Sequence, residues 1–221
     1  MRKGVIQTNV FLYMKLFELN TSNIIKEVYQ FKITLMGSKP SIWRRKQIPS
    51  TYTFWDFHVA ITDAMGWLDY HLHIFEMKDP KTYGKIEVGI PDEEDEAFDR
   101  IILPDFKKRI SKYFYEHNKT ATYEYDFGDS WRHKILFEKI IEAGPKEKYP
   151  KCISGKLACP PEDCGGIGGY YNLLEIINDS SHEDYEDMLE WLGGEFDPEL
   201  FNPNNVPFDD PKERFNLMYK E

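Results

Sequence analysis

Between Tyr123 and Phe137 the chain admits one regular structure. Tyr123, Tyr125 and Phe127 alternate with Glu124 and Asp126, Gly128-Asp129 supplies turn chemistry, and Trp131, His133, Ile135 and Phe137 alternate on the return. A period of two sends alternate side chains to one face of a strand, so this segment is an antiparallel hairpin whose aromatic side chains form one sheet face.

The remaining elements are read from their own periods. Tyr29, Phe31, Ile33 and Leu35 alternate with polar residues, Gly37-Ser38-Lys39-Pro40 turns the chain, and Ile42 to Ile48 runs extended to Pro49, which gives an opening strand pair. Thr53 stands three residues before Asp56, and Phe54, His58, Ile61 and Met65 follow at helical spacing until Gly66, which predicts a capped helix over 54–65. His71 to Phe75 and Lys85 to Val88 read as short strands, Asp92 to Glu96 as a solvated acidic loop, and a short helix follows Pro104. Beyond the hairpin, Tyr149 to Gly169 reads as a loop rich in proline and glycine, followed by helices from Tyr170 to Asn178 and from Tyr185 to Leu192, the second closed by Gly193-Gly194. Pro198, Pro203, Pro207 and Pro211 predict a tail that wraps along the surface. The sum is an α+β fold: a single domain with a mixed or antiparallel β-sheet packed with helices, a ββα-type start and a late aromatic hairpin. Residues 1–26 form an N-terminal extension, 27–202 the α+β domain and 203–221 a proline-rich C-terminal tail.

At 221 residues, with 41% hydrophobic and 15% aromatic content, the chain has ample material for a core. A formal net charge of -10 opposes the long-range attraction on which non-specific nucleic-acid binding relies. The apolar-leaning stretch from Val10 to Leu19 is interrupted by Lys15 and Glu18 and preceded by Gln7-Thr8-Asn9, which does not suit a signal peptide, and no segment approaches a membrane span. The expected compartment is the cytoplasm, where the three cysteines would stay reduced.

Two constellations carry candidate chemistry. Cys152, Cys159 and Cys164 with His133 as the fourth ligand, or His182 in its place, would supply the thiolate and imidazole donors of a tetrahedral zinc site. The alternative is that these cysteines are small buried side chains in a loop shaped by its prolines and glycines. His71 and His73, with Asp126, Asp129, Glu162 and Asp163, would hold a divalent metal and activate water, or work as a general acid/base pair. Against this, strand histidines beside aromatics usually pack, and turn aspartates usually bond their own backbone. Gly165 to Gly169 lacks the Gly-Lys-Ser/Thr of a nucleotide-binding loop and reads as a tight turn. Two basic clusters, Arg44-Arg45-Lys46 and Lys107-Lys108-Arg109, stand beside aromatic residues. Nucleic-acid contact, if made, would run through Arg44, Arg45, Lys107 and Lys108.

The order of motifs resembles a known family. Trp43-Arg44-Arg45, Gly66-Trp67, His71-Leu72-His73, Tyr125 to Asp129, Trp131 with His133, and Cys159-Pro160-Pro161-Glu162-Asp163-Cys164-Gly165-Gly166 together resemble the plasmid pRiA ORF-three-like family over residues 27–202. The resemblance implies a single α+β domain from proteins found on plasmids and beside insertion elements, and supplies no mechanism. A resolvase label sometimes attached to such proteins has no support here, since no Arg-supported nucleophilic serine is recognisable. The reading that follows is a non-catalytic binding or accessory protein associated with mobile elements. Its ligand or partner surface involves the cysteine loop and the aromatic hairpin, with a protein partner or small ligand favoured. Two alternatives stand beside it, a zinc-dependent hydrolase and a DNA-binding accessory protein.

Overall fold

Strand alternation and one buried helix organise the chain. The computed structural model describes residues 25–91 and 100–219; the acidic run at 92–96 and the N-terminal apolar-leaning stretch lie outside the described residues. Eight strands form one sheet: β1 (Glu27–Leu35), β2 (Trp43–Pro49), β3 (His73–Lys78), β4 (Lys85–Gly89), β5 (Ile102–Pro104), β6 (Thr120–Tyr125), β7 (Trp131–Glu142) and β8 (Lys151–Lys156). Their order is β5-β4-β3-β6-β7-β1-β2-β8. The β4–β5 pair is parallel and the other pairs are antiparallel, so the sheet is mixed. Among the described residues, four helices accompany it: α1 (Phe54–Met65), α2 (Gly166–Ile177), α3 (Tyr185–Leu192) and α4 (Pro211–Tyr219).

The expected hairpin is β6–β7, with Tyr125 opposite Trp131 and Tyr123 opposite His133. Its inward residues meet α1. Phe31 lies 4.7 Å from Phe57 between ring centroids, Phe57 stacks on Phe75 at 5.7 Å, and Phe75 meets Tyr123 at 4.8 Å. Burying each such aromatic side chain contributes about 1.5–3 kcal/mol before the cost of ordering it.

Helix α1 begins and ends as the sequence predicts. Thr53 and Asp56 make both halves of a capping box, and Gly66 takes the left-handed conformation at φ 84°. Eleven of its twelve residues are buried, because the sheet covers one side and the C-terminal segment the other. No basic residue occupies its last turn. Arg44 supplies that charge in space, donating from Nε to the Ala64 carbonyl at 2.8 Å.

Three expectations change. Residues 151–156, read as loop, form edge strand β8 paired with β2, which places Cys152 in the sheet. Helix α2 starts at Gly166 rather than 170, since the glycines enter the helix instead of preceding it. The tail is more than a surface wrap: α4 packs on α1, with Phe215 edge-on to Trp55 at 5.4 Å and Trp55 Nε1 donating to the Pro211 carbonyl.

Candidate functional site

The loop after α1 brings His71 to the surface just before β3. The hairpin turn presents Asp126 at φ 57°, and the cysteine loop presents Asp163 at φ 59°. Aspartate tolerates this left-handed region better than most residues because its short side chain can bond locally. Asp126 does so, its Oδ1 accepting from the Gly128 amide at 2.9 Å, which leaves Oδ2 to face His71. His71 Nε2 lies 2.9 Å from Asp163 Oδ1 and 3.7 Å from Asp126 Oδ2. One donor atom from each of the three residues falls within 4.8 Å of the others. His71 is partly open to solvent, Asp163 is exposed and Asp126 is buried. Leu68, Tyr70, Leu72 and Phe127, neighbours of these residues along the chain, are 48–74% exposed. The trio therefore sits at a surface with an apolar rim.

The other predicted acids have different work. Glu162 accepts from the Leu68 amide at 2.6 Å and from the Tyr125 hydroxyl at 2.5 Å, and Asp129 accepts from the Gly165 amide at 3.1 Å. Together with Trp67 Nε1 donating to the Pro160 carbonyl, these bonds stitch the cysteine loop to the hairpin and to the loop after α1. Gly166 permits the approach: a Cβ there would stand 2.5 Å from the Asp129 carbonyl oxygen.

His73 separates from His71. It is buried, donates to Asp105 at 2.9 Å and stacks on His58 with ring centroids 3.5 Å apart. His58 lies 2.7 Å from Asp69 at Nε2 and 2.8 Å from the Tyr123 hydroxyl at Nδ1. Burial, with His73 alongside, lowers its pKa to about 4, so neutral His58 donates to the Asp69 carboxylate and accepts from Tyr123. Asp69 also meets Arg214 from α4. This polar network inside the core joins His58, named above only for its place on the helical stripe, to Asp69, Asp105 and Arg214, which no sequence period marks. The available signal was His58 itself, a histidine on the apolar face of a helix that needs buried partners.

Among the described residues, the three cysteines and His133 do not draw together as one ligand set. Cys152 is in β8, with its thiol 3.5 Å from the Ser154 carbonyl. Burial pushes Cys159 and Cys164 up to about 12, leaving them as thiols at neutral pH. His133 is fully buried, with neither ring nitrogen in a well-formed hydrogen bond. His182 accepts from the Asp184 amide ahead of α3. The first basic cluster does not form a continuous basic surface. Strand alternation turns Arg44 and Lys46 inward, where both are buried, and Arg45 pairs with Glu138 at 2.9 Å.

The fold and site define a class: single-domain α+β proteins in which a hairpin turn and a proline- and glycine-rich cysteine loop are bonded together at one end of a mixed sheet. The chain belongs to the family described as Plasmid pRiA4b ORF-3-like protein, whose model matches residues 27–205. It is 34% identical over 174 residues to uncharacterized protein y4hQ of Sinorhizobium fredii, a match covering 77% of this chain and 83% of that one. A crystal structure of a protein of unknown function, MM3350 from Methanosarcina mazei, shares the fold at TM-score 0.77 and 45% identity. That match covers 83% of this chain and 99% of the other. Among the described residues, no helix is long and apolar enough to cross a membrane.

Proposed function

We propose that the protein is a non-catalytic binding module whose working face is the junction of hairpin turn and cysteine loop, centred on a divalent cation held by His71, Asp126 and Asp163. The observation that carries this reading is the convergence of those three donors, from three separate segments, within 4.8 Å. The imidazole suits zinc and the two carboxylates suit a harder cation such as manganese. The exposed rim of Leu68, Tyr70, Leu72 and Phe127 would give a protein partner or small ligand apolar contact beside the cation. Catalysis has less support, because Glu162 and Asp129 are already engaged in bonds to the neighbouring loop and Tyr125. A cytoplasmic setting suits the three free thiols. Accessory service to a mobile element rests on the plasmid in the family's description.

Manganese titration of metal-free protein, followed by electron paramagnetic resonance, tests the site without interference from thiols, which are poor ligands for that ion. One saturable equivalent is expected, with binding lost in His71→Ala and weakened in Asp163→Asn while the far-ultraviolet circular dichroism is retained. Absence of saturable binding to the wild-type chain would sink the proposal.

A further inference from the structure

A cleft of about 250 Å³ opens between α2 and α3, beside the cysteine loop. Its walls include Leu173 from α2, Met188 and Trp191 from α3, and Asp163 from the loop. Leu173 is buried and Met188 half-buried, whereas Trp191 keeps 50% of its surface exposed. Asp163 meets His71 through Oδ1, and its side chain is 62% exposed.

Charge around this cleft is one-sided. Between Lys156 and Lys212 the sequence holds no Lys or Arg, although the chain has 28 of them, while acids recur throughout. Glu175 on α2 and Glu186, Asp187 and Glu190 on α3 are exposed. Among the described residues, His182 with Asp184 is the one ion pair formed within this stretch. Asp187 stands four residues before Trp191 and so shares its face of the helix. Apolar walls, an open indole and carboxylates at the margin match a cation carried on an apolar stem. The walls cover the stem, the ring takes the face of the cation and the carboxylates take its N–H donors.

We infer that the cleft between α2 and α3 docks a basic segment of a partner protein, one arginine of which enters it against Trp191 and Asp163. Its volume falls below the roughly 300–1,000 Å³ of small-molecule pockets, so it suits one side chain of a larger partner. Arginine fits better than lysine, because its planar guanidinium both stacks on indole and pairs with carboxylates. The exposed acids of α3 beyond the cleft face further cations of the same segment. Docking needs the carboxylate of Asp163 and no bound metal, so it stands independently of the cation reading.

Fluorescence anisotropy of a labelled peptide of alternating Gly and Arg tests this on the full, metal-depleted chain. The expected result is saturable binding at low salt that weakens as salt rises. Trp191→Ala leaves the net charge unchanged and removes a half-exposed ring. It is expected to fold, to keep manganese binding and to bind the peptide about tenfold more weakly, the scale of one cation–π contact shielded from water. Three results would overturn the inference: no saturable binding at low salt, unchanged affinity in Trp191→Ala, which would assign the attraction to general acidity, or tighter binding of spermidine than of the peptide, which would assign the cleft to free polyamines. In the wild-type chain the indole N–H resonance of Trp191 is expected to shift as the peptide saturates. An unmoved resonance would also overturn the inference, and this decides the matter even if the variant fails to fold.

Discussion

His133 shows how far one residue's role depends on what surrounds it. On the hairpin its alternation is that of a core side chain, and its chemistry is that of a ligand; the core reading is the one its position supports. Burial lowers its pKa to about 3, and that of His58 to about 4. An unfolded imidazole titrates near 6.5, so between that value and the folded one the unfolded chain holds a proton that the native chain does not. Stability is therefore intact above about pH 6.5 and falls as pH drops through that window, by about 1.4 kcal/mol per pH unit for each such histidine. Urea denaturation at pH 7.5 and 5.0 checks this. His133→Leu, which removes the buried imidazole nitrogens, should lose about 2 kcal/mol less than the wild-type chain over that interval. Equal losses would show that His133 contributes nothing to the acid sensitivity.

At the scale of elements, α1 and the cysteine loop contrast a local rule with a long-range one. The capping box of Thr53 and Asp56 is written within four residues, and Thr53→Ala should cost about 1 kcal/mol in chemical denaturation. The glycines at 165–169 read as a tight turn, and Gly166 adds a long-range contact, since its Cα passes the Asp129 backbone of the hairpin turn. Gly166→Ala places a Cβ 2.5 Å from that carbonyl oxygen at a φ of 66°, so it should cost about 1–3 kcal/mol. It should also weaken manganese binding at His71, because Asp163 travels with the displaced loop. An unchanged midpoint with unchanged metal affinity would separate the loop's packing from the site.

Across the whole molecule, the C-terminal segment covers what the sheet and α1 leave polar. Phe201 lies over Arg44, Phe208 over Lys46, and Arg214 reaches Asp63, Asp69 and Asp209. Residues 206–219 of this cover lie beyond the 27–205 matched by the family model. Arg214→Met would leave Asp63 and Asp69 buried without their cation, at a cost of about 3 kcal/mol. Adding Asp63→Asn should recover part of it. A double-mutant cycle by urea denaturation checks the coupling, and additive losses would contradict a shared network.

Periods and caps were legible in the chain by itself. The β1–β2 pair, the bounds of α1 and the β6–β7 hairpin follow from alternation, the Thr53–Asp56 box and Gly128-Asp129, all set within a few residues. The loop motif likewise carried the family. Strand β8 was not legible, because its pairing with β2 crosses a hundred residues and its own sequence lacks a clean period. The candidate site was half legible: His71, Asp126 and Asp163 were among the residues singled out, but so were His73, Glu162 and Asp129. Only the tertiary structure divided them, since a donor's role depends on which atoms from distant segments already satisfy it. The same holds for Arg44 and Lys46, whose order in the chain suggests a basic surface, while burial against α1 and the C-terminal cover turns them into interior charges.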